Sequence, residues 1–268
     1  AYTCKINGRL LVQAGSFGGW LTESRLKLDT TGKVLDAQAI NHPVLQGAYA
    51  PNPAFAALVQ RAAALTTAAR EKPVALLPRG AKRSASAPYG DSPLGNLVAD
   101  AHLAHGKKHA KADIAMTNSG GIRADLAVEP GRMVTMSDLF AIQPFGNNLV
   151  ALTITGSQLQ ELIRKALPKR PGPASLQVSY NLGYQWSQAP GAEPVLESVT
   201  FEGKPLDLVR DYRVVVNSFT ADGGDNLSVL RQGRDRATLG MDLDALAEWL
   251  AENPKAMDNI EPGRIVKK

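Results

Sequence analysis

Three short stretches of this chain carry residue types that could bind a charged, ring-bearing small molecule. The first is Asn118-Ser-Gly-Gly-Ile-Arg123. Its glycines expose backbone N–H groups, and a guanidinium beside them makes a site for an oxyanion such as phosphate. The second, Gln143-Pro-Phe-Gly-Asn147, puts an aromatic on a constrained turn that ends in two amides, Asn147 and Asn148. The third, Asn217-Ser-Phe-Thr-Ala-Asp-Gly-Gly-Asp225, supplies another aromatic, a glycine pair and a carboxylate. Phe145 and Phe219 could sandwich a nucleobase, a sequence-tolerant contact of ~1–3 kcal/mol per stack. Asn147 could then read a base edge, Asp225 could accept hydrogen bonds from sugar hydroxyls, and Arg123 could meet a phosphate. Each stretch also has a plainer reading. These are a glycine turn with a solvated Arg, a helix stop whose Phe145 tucks into the core, and a hairpin turn at Asp222-Gly223.

Other chemistries find less support. The four histidines, His42, His102, His105 and His109, show no metal-ligand spacing with carboxylates. His105 and His109 stand four apart, but Gly106 interrupts that turn, so both read as surface residues near a helix end. There is no Gly-x-Ser-x-Gly elbow and no P-loop. One cysteine, Cys4, excludes an internal disulfide and a cysteine-based zinc site, and it reads as a small buried apolar residue. The formal charge of +5 suits anionic ligands, but the basic residues are dispersed. The Lys107-Lys108-His109-Ala110-Lys111 cluster reads as a solvated helix C-terminus, so nucleic-acid binding is not indicated. No apolar run reaches the length of a membrane span.

The elements that must position these loops follow from periodicity and punctuation. Residues 1–40 read as strand, turn, strand, with an Asn7-Gly8 hairpin turn and an alternating strand at Ser24–Leu28. Too few to be stable alone, these strands look like the end of a domain that begins upstream. Asn52 and Pro53 open a long helix to Glu71, which Lys72-Pro73 ends; it reads as a domain connector. Val74–Leu77 is a short strand. Ser92 and Pro93 start a second helix that Gly106 should stop. Ala112–Thr117 is a strand running into the first loop. Met136–Ala141 is a short helix before the second loop, and Leu149–Ile154 a strand after it. Ser157 and Gln160 suggest a capping box for the next helix. After a Pro/Gly loop at Lys169–Ser175, strands are expected at Gln177–Gln185, Val195–Phe201 and Asp211–Phe219. Asp242 should cap a last amphipathic helix bearing Leu243, Leu246, Trp249 and Leu250.

Taken jointly, the three loops and the helix start Gly90-Asp-Ser-Pro-Leu-Gly-Asn96 resemble the C-terminal domain of the 5′-nucleotidase family. Asn118-Ser-Gly-Gly-Ile-Arg123 is similar to that family's Asn-x-Gly-Gly-Ile-Arg signature. Pro144–Asn147 resembles its first aromatic loop, and Phe219-x-x-x-Gly-Gly-Asp225 its second. The resemblance implies an α/β fold with mixed sheets in a layered α/β/β/α architecture. It divides the chain into residues 1–47, the end of a calcineurin-like metallophosphoesterase domain; 48–72, a linker helix; and 73–268, a substrate-binding domain. It also implies two divalent metal ions and the catalytic His and Asp on a domain upstream of residue 1, with no metal held by this chain. A nucleotide or nucleoside would be the ligand, and the location periplasmic or secreted.

Carried over by position, the resemblance implies that Phe145 and Phe219 clamp the base and that Asn147 contacts its edge. Asp225 would bind the ribose hydroxyls, with Asn118 and Arg123 binding or orienting the phosphate. Gly90 stands where some members carry a further phosphate-binding Arg, a role that could fall to Arg83. Two rivals stay open: a relative acting on another ester, such as a 2′,3′-cyclic nucleotide or a sulfur compound, and a non-catalytic nucleotide-binding module.

Overall fold

The computed structural model describes residues 1–16, 18–84, 89–168, 172–253 and 255–268. Part of the loop expected at 169–175 therefore lies outside the described residues. Contacts divide the chain into two units, Ala1–Leu65 and Thr66–Lys268.

The first unit is built from two hairpins. β1 (Tyr2–Ile6) pairs with β2 (Arg9–Gln13) through Asn7 and Gly8, both at positive φ as a tight hairpin turn requires. β3 (Trp20–Leu28) pairs with β4 (Val34–Pro43). Cys4, expected to be buried, is exposed; a two-stranded ribbon covers neither of its own faces. α1 (Pro53–Arg70) starts as expected, with Asn52 Oδ1 accepting from the Ala54 and Phe55 N–H groups. It buries none of its residues, leaving Phe55, Leu58, Val59 and Leu65 exposed.

The second unit is a layered α/β structure. Its elements after α1 are β5 (Pro73–Ala75), α2 (Pro93–Ala110), β6 (Ile114–Asn118), β7 (Val134–Thr135), α3 (Met136–Ile142) and β8 (Asn148–Thr155). Then come α4 (Gly156–Lys165), β9 (Leu176–Val178), β10 (Leu182–Ser187), β11 (Val195–Phe201), β12 (Lys204–Pro205) and β13 (Asp211–Asn217). The chain closes with α5 (Ser218–Ala221), β14 (Arg234–Met241), α6 (Asp242–Glu252) and β15 (Ile265–Lys267).

A mixed sheet in the order β14-β8-β13-β6-β9 is the centre of this unit. Its inner strands, β8, β13 and β6, bury apolar residues on both faces. Val214 and Val216 of β13 join the cluster that holds α4 and the second sheet, β12-β11-β10-β15, whereas Val215 joins Leu103 and Ala245 on the opposite side. Leu152 and Ala151 of β8 divide in the same way. The last strand is tied to α2 by buried charge. Asp91 accepts from the N–H groups of Gly263, Arg264 and Ile265, and Arg264 makes a two-pronged 2.7 Å pair with Asp100.

Several expectations are corrected. α2 does not stop at Gly106 but runs to Ala110 and ends at Lys111, in the left-handed region. Gly106 is there for close approach, since a Cβ on it would lie 2.6 Å from Val215 Cγ2. The single strand expected at Gln177–Gln185 is two strands in different sheets, because Ser179 and Asn181 turn the chain from one sheet to the other. α4 is capped two residues earlier, by Thr155 and Gln158; the Ser157 hydroxyl donates to the Leu208 carbonyl instead. Met241, not Asp242, stands at the N-cap position of α6 and makes no capping bond, and Asp242 is buried in its first turn. β13 ends at Asn217, and Asp222-Gly223 joins helical turns rather than two strands, so the hairpin reading is overturned.

Candidate nucleotide-binding site

The sheet topology brings the three loops together. β6 and β13 are parallel neighbours, so Asn118 and Asn217 leave the sheet side by side at the same end. β8 is antiparallel to β13 with Leu149 opposite Asn217, so the loop that enters β8, Phe145–Asn147, reaches that end too. The carboxyl ends of parallel strands are where open α/β sheets bind ligands. The result is a cleft of ≈ 500 Å³ lined by Asn118, Gly120, Gly121, Arg123, Phe145, Asn147, Phe219 and Asp225. All six residues singled out from the sequence are among them.

Both aromatics face solvent. Phe145 is 57% exposed and Phe219 48%. Neither is the core residue of the plainer reading, and among the described residues no other ring packs on either. Phe145 sits under the Arg123 guanidinium at 5.7 Å from the ring centroid. Phe219 lies flat against Gly224, where a Cβ would come within 2.4 Å of the ring. Gly224 therefore serves the aromatic, while Gly223 takes a positive φ of 85° against Arg231.

Asn217 organises the third loop. Its Oδ1 accepts from the backbone N–H and hydroxyl of Thr220, capping α5, while its Nδ2 donates to Asn118 Oδ1 at 2.8 Å. Asn118 Nδ2 in turn donates to Asp225 Oδ2, also at 2.8 Å. Asn118 is 4% exposed and engaged at both ends of its amide, so what it offers the cleft is an aimed Asp225 carboxylate. Asp225 itself is exposed and adopts φ 53°, ψ 30°, an uncommon state for a non-glycine residue. Sequence reasoning assigned Asn217 no role; an Asn between a strand and a Ser-Phe-Thr helical turn was the available signal.

Two arginines stand together beside the first loop. The Arg123 guanidinium is exposed and donates to the Gly120 carbonyl. Arg83 donates from Nη1 to the Arg123 carbonyl at 2.8 Å, so it stands next to Arg123 despite its distance in sequence. In the second loop, Asn147 accepts from the Ser218 hydroxyl at 3.3 Å and neighbours Asp242. Burial pushes the Asp242 carboxyl up to about 6, against the lowering effect of the Leu243 N–H and the Asn147 side chain.

A larger, more polar hollow of ≈ 1120 Å³ opens beside Asp225 and Asn226, bordered by Arg164, Lys165 and Leu196. It has no aromatic walls, so the smaller cleft better suits a ring-bearing ligand. That cleft contains one carboxylate and no histidine, which does not fit a two-metal centre. His102 is fully buried, and burial lowers its pKa to about 3, which marks a neutral core residue.

Residues 66–232 match the family described as 5′-nucleotidase, C-terminal domain. The chain belongs to this family. Its relatives include the Bacillus subtilis protein Endonuclease YhcR, 28% identical over 97% of this chain and 21% of that protein. A 5′-nucleotidase from Vibrio vulnificus is 33% identical over 65% of this chain and 30% of its own length. Among solved structures, the 5′-nucleotidase precursor of Thermus thermophilus superposes with a TM-score of 0.70 at 28% identity, over 96% of this chain and 52% of that one. The chain thus spans about a fifth of the Bacillus relative and about half of the Thermus enzyme.

Proposed function

We propose that this chain holds the nucleotide for a metal-dependent 5′-nucleotidase-type phosphohydrolase and determines which substrate is accepted. The observation that carries this reading is the convergence of two half-exposed phenylalanines, an exposed arginine and an aimed carboxylate on one cleft. In it, Phe145 and Phe219 stack on the two faces of the base and Asn147 reads its edge. Asp225 accepts the ribose hydroxyls, and Asn118 is a positioning residue that sets the Asp225 rotamer. Arg123, with Arg83 beside it, takes the phosphate. The contribution to rate is orientation of the phosphoester rather than bond-breaking chemistry.

The two metal ions and the residues that activate water belong, in this proposal, to a calcineurin-like domain, of which residues 1–47 are the end and residues 48–72 the linker. The division of contacts inside α1 and the family match beginning at residue 66 support a boundary there. The chain alone then binds nucleotide without hydrolysing it. Two stacks set against the cost of association give a Kd of roughly 0.1–10 mM.

An NMR titration of the chain with AMP tests this. Binding should broaden or shift the loop resonances, and Phe145→Ala and Phe219→Ala should each weaken it. Unchanged titrations in both variants would overturn the clamp. Hydrolysis of AMP by the chain with added divalent metal, constant across independent preparations, would overturn the division of labour. The 97% coverage of this chain in the match to a protein named an endonuclease favours phosphodiesters as a second substrate reading. A panel of AMP, 2′,3′-cyclic AMP and a dinucleotide with the full-length parent separates the two.

A further inference from the structure

We propose that His105, His109 and Glu248 form a binding site for a divalent transition ion such as Zn²⁺ where α2 meets α6. This departs from the expectation that the chain holds no metal. That expectation rested on Gly106 breaking the helix. Because α2 continues through Gly106, His105 and His109 instead lie one turn apart on the same helix face. Their ring centroids are 4.3 Å apart. The third ligand comes from a helix more than a hundred positions away in the chain, which spacing alone could not show. One ligand atom from each residue falls within 4.8 Å of the other two.

The hydrogen bonding of His105 makes this more than a chance cluster. Its Nε2 lies 2.8 Å from the Leu239 carbonyl oxygen. A carbonyl only accepts, so Nε2 carries a hydrogen and the lone pair of the neutral ring is on Nδ1. Nδ1 is buried, meets no hydrogen-bond donor among the described residues, and stands 3.4 Å from Glu248 Oε2. Two lone-pair atoms thus face each other, and a cation between them resolves the clash. A proton would serve that pair but would leave the third ligand, His109, unused.

A metal ion uses all three. Tetrahedral zinc, with bonds of ~2.0–2.2 Å to nitrogen and oxygen, sets its ligand atoms about 3.3–3.5 Å apart. The His105–Glu248 edge already has that length, and the exposed His109 ring has only to turn inward. Next to them is a small open hollow of ≈ 140 Å³, room for a water as fourth ligand. The Leu239 carbonyl behind His105 is the outer-shell partner that a ligating imidazole ordinarily has. The other charged groups facing the site are Lys108, which binds Glu248 through Oε1 and leaves Oε2 free, and Glu252, whose negative charge offsets that lysine. The bound ion would tie α2 to α6, and through Leu239 to β14.

The test uses the chain stripped with a chelator, then titrated with Zn²⁺ by calorimetry and with Co²⁺ by visible absorption. One equivalent should bind, with a tetrahedral cobalt spectrum and a Zn²⁺-dependent rise in Tm. His109→Ala and Glu248→Gln should each weaken affinity by at least about tenfold and abolish the rise in Tm. Both change side chains outside the core, so folding is retained. His42→Ala, at a histidine of the first unit, should change nothing. No Zn²⁺ uptake, or uptake unchanged in both ligand variants, would overturn the proposal and leave a simple imidazolium–carboxylate bridge.

Discussion

Substituting Gly224 isolates the aromatic clamp from every other part of the cleft. Gly224 has no role in the hydrogen-bond relay, and its φ is not in the left-handed region, so alanine brings no backbone strain. What alanine adds is one methyl group, 2.4, 2.5 and 2.6 Å from the Phe219 atoms Cε1, Cζ and Cδ1. Carbon atoms pack at about 3.5–4.0 Å, so the ring must retreat by more than about 1 Å or swing away. Phe219 is half exposed, so it can swing at little cost to the fold. Stability should change by no more than about 1 kcal/mol.

Binding should change more. If the displaced ring no longer meets the base, Gly224→Ala forfeits the stack, ~1–3 kcal/mol, or roughly 5- to 150-fold in Kd. The assay is an AMP titration of wild type, Gly224→Ala, Phe219→Ala and the double variant. With no ring to displace, the alanine should have no further effect, and the double variant should bind like Phe219→Ala. Two results would refute the reasoning. Gly224→Ala could bind as well as wild type, which would mean the ring carries no affinity. The alanine could also weaken binding in the Phe219→Ala background, which would place its effect elsewhere in the loop.

Two further substitutions probe the cleft's supports. Asn118→Ala strands the buried Asn217 amide and releases Asp225, at a stability cost of about 1–3 kcal/mol by thermal or urea unfolding. If Asn118 acts through Asp225, adenosine and AMP binding should fall by the same factor; a loss confined to AMP would place Asn118 on the phosphate itself. Asp242→Asn removes a carboxyl that burial raises to about 6 from an ordinary 3.8. Because the folded pKa lies above the unfolded one, the contribution of Asp242 to stability is fully present below about pH 4, is lost as pH rises through about 6 and is level beyond. The variant should therefore be more stable than wild type at pH 7–8, by up to about 3 kcal/mol, with the gap closing below pH 4. A gap that does not vary with pH would count against a buried, reluctantly ionised Asp242.

Features governed by a few neighbouring residues were legible in the sequence. Asn52-Pro53 and Ser92-Pro93 mark the starts of α1 and α2, and the positive-φ pairs Asn7-Gly8 and Glu202-Gly203 mark the turns of two hairpins. Features governed by a distant partner were not. Gly106 reads as a stop until Val215 is known to lie against it. Ser157 reads as a cap until the Leu208 carbonyl claims its hydroxyl. Asp222-Gly223 reads as a hairpin because that dipeptide makes hairpins wherever two strands flank it; here Asn217 captures Thr220 and starts a helical turn first. Residues 177–185 alternate like one strand in sequence, but at the corner between the two sheets Tyr180 turns out to solvent while Ser179 is buried.

The same division runs through the site. The aromatics, the arginine and the carboxylate could be named from their types, since each is an exposed group of the kind a nucleotide needs. Their relation could not be read that way, because it depends on strand order. Asn118 and Asn217 are 99 positions apart and meet only because β6 and β13 are parallel neighbours. From that one adjacency follow the hydrogen bond between the two amides and the orientation of Asp225. An aspartate held in the left-handed region sacrifices of order 1 kcal/mol or more of backbone energy. Two buried amides aligned to keep it there make sense if Asp225 must already point into the cleft when a ligand arrives. A carboxylate with one oxygen fixed by Asn118 keeps its other oxygen, and a further lone pair, for hydroxyl donors. Its place at the carboxyl ends of a parallel strand pair is where a pre-aimed acceptor is of most use.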